Sequence, residues 1–230
     1  MICNCEQADY YAFCDQDDVW DKDKIKIAVD MLDKENSSTP LLYCGMVRTT
    51  DENLNYKYDF WDQDHIIDYF HSLLNNIAPG CTFVFNDSLR KLLIQYDCDK
   101  YEMYIHDWMV YKIAACFGKV IYDRQTHMCY RQHGNNAIGA SQTTHGLLHL
   151  YQCFKTFFID KNSRFISAEA KFLEKCYGEY MSEENKRYTY IIAHYKESFK
   201  NKCEIIKLNI FNKHGLLFLC YVFLILTNRV

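Results

Sequence analysis

With 230 residues, 49% hydrophobic and 24% charged, 8 Gly and 2 Pro, the chain can build a packed core and is neither disordered nor collagen-like. Its net charge of −4 is unevenly spread: 13 basic against 22 acidic residues through Leu150, then 13 against 8 from Tyr151 onward. An acidic body with a basic tail excludes nucleic acid as a natural partner and suits a metal-using body whose tail faces an anionic membrane.

In chain order, the apolar run Ala8–Cys14 reads as a buried strand that stops at Asp15-Gln16-Asp17-Asp18. Ile25, Ala28, Val29 and Leu32 recur at helical spacing and predict a helix over Asp23–Lys34. A strand over Leu41–Val47 follows Pro40, then a polar and aromatic excursion from Thr49 to Asp64. Ile66, Ile67, Phe70, Leu73 and Leu74 mark an amphipathic helix, and Pro79-Gly80 turns the chain into a strand over Cys81–Phe85. Asp87-Ser88 can cap a helix carrying Leu89, Leu92 and Leu93. A further helix runs from His106 to about Phe117, ended by Gly118 at a C′ position, before short strands at Val120–Tyr122 and Met128–Tyr130.

Alternating strands and helices predict an α/β sheet, whose ligands gather beyond the carboxyl ends of its strands, where Asp15 to Asp18 stand. A Gly-, Ser-, Thr- and Asn-rich loop over 134–146 separates this body from a helical, basic region, giving domains 1–141 and 142–230. In that region Phe172, Cys176 and Tyr180 form one stripe and Leu173, Tyr177 and Met181 the next. The apolar run 215–226 falls short of the roughly 20 residues of a membrane span; it predicts a helix packed on the protein or docked shallowly on a bilayer. The 12 Cys are scattered singly in apolar runs with no secretory signal before them, which predicts reduced, mostly buried thiols and a cytoplasmic protein.

Three features could carry chemistry. Asp15, Asp17 and Asp18 repel one another unless a cation or hydrogen bonds compensate; a hard ion such as Mg²⁺ or Mn²⁺ fits them, and so does a plain role as a helix cap. Asp107, in His106-Asp107-Trp108, could act as a general base toward a hydroxyl or simply complement the helix dipole. His133 could add an imidazole to the same metal and Arg131 could contact a phosphate, although a lone loop histidine is usually just exposed.

Together, Tyr11-Ala-Phe-Cys-Asp-Gln-Asp-Asp-Val-Trp20, Asn76-Ile-Ala-Pro-Gly-Cys-Thr-Phe-Val-Phe85, His106-Asp-Trp108 and Tyr130-Arg-Gln-His-Gly-Asn-Asn136 resemble family 2 glycosyltransferases, in their order, and nearest the rhamnosyltransferase-like branch. The resemblance spans about Ala8 to Ala140. It implies a partial GT-A fold followed by a helical C-terminal extension. It also implies an inverting, metal-dependent transfer from a dTDP- or UDP-sugar to a glycan or lipid-linked acceptor in polysaccharide biosynthesis. The resemblance makes Asp15, Asp17 and His133 the metal ligands and Asp107 the base. Asp15, Asp18, Gly80, Cys81, His106, Trp108 and Arg131 would line the donor and acceptor site, with His106 standing where the family usually has Glu. The location implied is cytoplasmic, with peripheral contact at the inner face of the membrane through the C-terminal segment.

In that family further βα units precede the Asp cluster, so an N-terminal third is expected to be missing here. The strand at Ala8–Cys14 would then expose an edge, and the 230 residues alone would hold a nucleotide sugar weakly or not at all. An inactive remnant or interaction subunit that keeps the fold is the competing expectation. A nucleotidyltransferase is the third, without the phosphate loop it would show.

Overall fold

A computed structural model of the chain describes residues 5–60, 65–95, 106–132, 165–208 and 222–228. The chain divides into two compact units, Met1–Asp68 with Asn75–Gln142 and Tyr69–Leu74 with Thr143–Val230.

Among the described residues of the first unit, eight strands form two mixed four-stranded sheets. The strands are β1 (Tyr10–Ala12), β2 (Val19–Trp20), β3 (Leu41–Gly45), β4 (Val47–Thr50), β5 (Tyr56–Phe60), β6 (Val84–Asn86), β7 (Lys119–Asp123) and β8 (Met128–Arg131). One sheet has the order β1-β6-β3-β7, with β3 and β7 parallel and its other pairs antiparallel. The other has the order β2-β8-β4-β5, with β4 and β8 parallel. The mixed α/β class expected from the alternation is therefore present, although purely parallel pairing is not.

β3 is buried at every residue, as a run of apolar side chains inside a sheet should be. The strand expected over Leu41–Val47 is in fact two: the chain leaves the first sheet at Met46 and enters the second at Val47. β2 and β5 have no counterpart in the expected elements. β2 is two residues long, and β5 turns only Tyr58 and Phe60 inward. β1 ends its sheet and is shorter than the expected Ala8–Cys14 strand.

Helix α1 (Lys24–Leu32) lies within the expected span but is rotated on its axis. Its buried stripe is Lys24, Ala28 and Leu32, each four residues on, while Ile25 stands exposed. Ala28 and Leu32 pack with Leu41, Tyr43 and Val84 against the first sheet. The expected strand Cys81–Phe85 begins instead with a 3₁₀ turn, Gly80–Thr82. Helix α3 (Asp87–Ile94) is capped one residue earlier than expected, by Asn86, whose Oδ1 accepts from the Leu89 N–H at 3.1 Å. The same oxygen accepts from Leu41 N–H at 2.9 Å, and the Asn86 amide donates to the Ser37 and Thr39 carbonyls, so this cap also holds the entry to β3.

Helix α4 (His106–Phe117) ends at Gly118, but not for the reason expected. Gly118 has no left-handed backbone conformation. A Cβ there would sit 1.8 Å from the Pro40 carbonyl oxygen, which accepts from Lys119 N–H at 2.9 Å. Glycine is needed for close approach of two backbones where β7 joins β3.

The second unit is helical: α2 (Tyr69–Ser72), α5 (Phe165–Tyr177), α6 (Glu183–Ala193) and α7 (Phe199–Lys207). Helix α2 is one turn rather than the longer helix expected, and Ile66 and Ile67 are exposed before it. Leu173, Tyr177 and Met181 are buried as one stripe; a 3₁₀ turn over Gly178–Tyr180 breaks the other and leaves Tyr180 in solvent. The Tyr69 hydroxyl meets Thr189 Oγ1 at 2.6 Å, and the Phe70 and Tyr188 rings lie 4.7 Å apart. No helix among the described residues is long and apolar enough to cross a membrane. The expected loop at 134–146 and most of the run 215–226 lie outside the described residues. The described cysteines are all free thiols; Cys44, Cys81 and Cys176 are buried, whereas Cys5 and Cys14 are exposed.

A Cβ at position 118 can be accommodated only by separating β7 from β3. Gly118→Ala is expected to destabilise the protein by about 3 kcal/mol, the upper range for overpacking, read as a lower urea midpoint at unchanged slope.

Candidate functional site

The Gly80–Thr82 turn is the meeting point of the residues singled out in the sequence. At its start, Gly80 N–H donates to Asp107 Oδ2 at 3.0 Å, and the Asn76 side-chain amide donates to the same oxygen at 3.3 Å. Asp107 Oδ1 accepts from Trp108 N–H at 2.9 Å in the first turn of α4, so the carboxylate is gripped by amides from three places in the chain. Only glycine fits at position 80, because a Cβ would lie 2.8 Å from that of Asp107. Asp107 itself is 9% exposed.

At the next residue of the turn, Cys81 offers its thiol to the acidic loop. Asp15, Asp18 and Cys81 place one ligand atom each within 4.8 Å of one another. Asp18 comes in on the loop before β2, and its Oδ1 accepts from the Arg131 N–H of β8 at 3.1 Å. Its Oδ2 is buried and accepts no N–H or O–H hydrogen bond; the Cys81 thiol lies against the carboxylate. Burial pushes the Asp18 carboxyl up to about 6, against the lowering effect of hydrogen bonds from Arg131 N–H and the Cys81 thiol, and the charges of Asp15 and Asp17 add a smaller rise. Burial, and then the Asp18 charge, hold the Cys81 thiol well above its ordinary range, so it stays neutral.

An orphaned carboxylate oxygen beside a second carboxylate fits a hard divalent cation: it supplies oxygen ligands and lacks a partner a cation would provide. Asp15 and Asp18 are the residues that would hold one; a neutral thiol is a poor ligand for Mg²⁺ or Mn²⁺. Asp17 is partly buried on the same loop but outside this group, and His133 lies outside the described residues. His106 opens α4, and nothing of its side chain is described. Trp108 is half-buried, with the buried Lys112 ammonium 5.3 Å from its ring centre. Arg131 reaches the acidic loop through its backbone.

Two charged groups of this unit did not stand out in the sequence. Lys24, 2% exposed, donates from Nζ to the Cys81 carbonyl at 2.7 Å and lies 3.4 Å above the Trp20 ring centre. Burial lowers its pKa to about 8, against the raising effect of Cys81, Cys14, Asp18 and Asp15. Its place on the α1 stripe with Ala28 and Leu32 was the available signal. Asp123, at the carboxyl end of β7, accepts from the Tyr43 hydroxyl at 2.9 Å and from Gln125 N–H at 2.8 Å, and it lies 3.1 Å from His127 Nε2.

Removing the Asp18 charge should have opposite effects on stability and on cation binding. A neutral amide keeps the Arg131 N–H bond and sheds the cost of a buried charge. Asp18→Asn is expected to raise the stability of the metal-free protein at pH 7 by up to about 1 kcal/mol, measured by urea unfolding with chelator present. The gain should shrink as pH falls below about 6, where the wild-type carboxyl takes up a proton.

No family model matches the chain, and no solved structure matches it. Over 145 residues the chain is 37% identical to the dTDP-rhamnosyl transferase RfbG of Shigella flexneri, a stretch that covers 59% of this chain and 47% of that protein. The chain thus spans about half the length of the curated relative it matches, and the likeness supports a glycosyltransferase relationship.

Proposed function

We propose that the protein is a GT-A, family 2 glycosyltransferase that moves a sugar from a nucleotide-sugar donor to a hydroxyl of a glycan or lipid-linked acceptor. Rhamnose is the sugar proposed first, because the relative is named a dTDP-rhamnosyl transferase. The observation that carries the reading is the shared turn: Asp107 is bonded to Gly80, and the Asp15–Asp18 pair faces Cys81, the adjacent residue.

On this reading Asp107 accepts the proton of the acceptor hydroxyl as that oxygen bonds to the anomeric carbon. The bond from that carbon to the phosphate oxygen breaks, the nucleoside diphosphate leaves, and attack from the opposite face inverts the configuration. The amide donors around Asp107 fix its orientation, which matters because a base must reach its proton at hydrogen-bond distance. When bound at Asp15 and Asp18, with His133 as the further ligand proposed, a divalent cation supplies Lewis-acid compensation for the diphosphate charge. Polysaccharide assembly on the cytoplasmic face of a membrane, with peripheral contact through 215–226, belongs to the same proposal.

The full-length protein, given Mn²⁺, a glycan acceptor and either dTDP-rhamnose or a UDP-hexose, is expected to release nucleoside diphosphate. Asp107→Asn should lower kcat by about 10³-fold with little change in donor affinity by calorimetry. Full turnover by that variant would remove Asp107 from the chemistry, and silence with every donor would remove the glycosyltransferase reading itself. Asp18→Asn should weaken Mn²⁺ binding by at least about tenfold, or 1.4 kcal/mol, in the same calorimetric titration.

A further inference from the structure

Lys24 is a buried ammonium where a helix of this packing calls for an apolar residue. It shares the core-facing stripe of α1 with Ala28 and Leu32, both fully buried. Among the described residues no carboxylate lies within salt-bridge distance of its Nζ. Its contacts are the Cys81 carbonyl at 2.7 Å and the face of Trp20 at 3.4 Å. Burying an unpaired ammonium is expensive, and an aliphatic side chain of similar length would fill the space without that cost. The cost makes sense where the contacts themselves are needed.

Those contacts join three segments. Trp20 belongs to β2, two residues after Asp18; Cys81 is the middle of the 3₁₀ turn; and Lys24 opens α1. The turn is therefore held on one side by Asp107 at the Gly80 amide and on the other by Lys24 at the Cys81 carbonyl. We propose that Lys24 is a positioning residue, whose ammonium clamps the Cys81 carbonyl to Trp20 of β2, just beyond the acidic loop, and so sets the separation between Asp107 and the Asp15–Asp18 pair. It acts through the turn and touches no reacting atom. Its role in turnover rests on the glycosyltransferase reading above; its role in holding the turn does not.

The test uses Lys24→Met in the full-length protein, with two readouts. The first needs no substrate: alkylation of Cys81 by iodoacetamide, followed by peptide mass spectrometry. Cys81 is 2% exposed in the clamped turn, and release of its carbonyl is expected to raise its alkylation rate by about tenfold through local opening. The second is sugar transfer, where kcat is expected to fall about 50-fold while donor KM stays within about threefold, the signature of misplaced groups rather than lost binding. A folded Lys24→Met protein with Cys81 still protected would overturn the proposal, whatever its kcat, because no effect would then run through the turn. A freed Cys81 with unchanged kcat would overturn it as well. If the wild-type protein transfers no sugar, the glycosyltransferase reading fails while the alkylation result still decides the clamp. Should Lys24→Met fail to fold, Lys24→Gln, which keeps a shorter neutral donor, decides on the same readouts: a several-fold rise in Cys81 alkylation supports the clamp, and wild-type protection overturns it.

Discussion

The buried backbone of the Gly80–Thr82 turn must satisfy its polar groups without a sheet ladder to do so, and it recruits charged side chains for the purpose. A buried N–H or C=O left unpaired costs as much as a lost hydrogen bond, and bonds to ionised partners are worth about 1.5–3 kcal/mol each. Here the Gly80 amide takes Asp107 and the Cys81 carbonyl takes Lys24. One local need of the backbone thereby brings an anion from the start of α4 and a cation from the start of α1 to neighbouring residues. The acidic loop is added by packing: Cys81 shares a buried cluster with Val47 and Met128, against which Trp20 rests.

The charges around this turn are not arranged for stability. Asp18 is displaced toward its protonated form and Lys24 toward its neutral form, each mainly by burial. The hydrogen bonds to Asp18 and the anionic surroundings of Lys24 do not recover what desolvation costs either group. Such an arrangement persists where it serves a purpose other than folding, since neutral side chains would pack there at lower cost. The buried Oδ2 of Asp18 belongs to the same pattern: it accepts no N–H or O–H bond, and a weakly donating thiol is its nearest protein partner.

What could be read in the sequence depended on how local its cause was. Helix α1, helix α4 and the run Leu41–Gly45 follow from spacing and apolar content within a few residues. The short segment at Asp15 to Asp18 stands out in the sequence as a candidate site because carboxylates so close together demand compensation. The rotation of α1 was not legible, because burying Lys24 in place of Ile25 is justified only by a carbonyl 57 residues away. β2 and β5 are too short or too exposed to show a period of two, and exist because β8 and β4 offer them edges. Gly118 resembles a helix stop in sequence, yet its cause is the Pro40 carbonyl on another segment. The 37% identity to a rhamnosyl transferase supports a glycosyltransferase relationship, whereas the roles proposed for Asp15, Asp17, His133 and Asp107 rest on the motifs.

The link from Asp123 to Met128 is where the two sheets exchange information about alignment. β3 passes into β4 across one residue, and the parallel partner β7 passes into β8 across four, Arg124 to His127. The Asp123 carboxylate holds Gln125 and faces His127, so those four residues form a spacer of set length rather than slack. Adding or deleting one would bring β8 in with its two faces exchanged, and the amide now at Arg131 would no longer arrive opposite Asp18. A surface connection of this kind, which elsewhere tolerates insertion, is here a gauge block whose size calibrates the acidic loop from outside it.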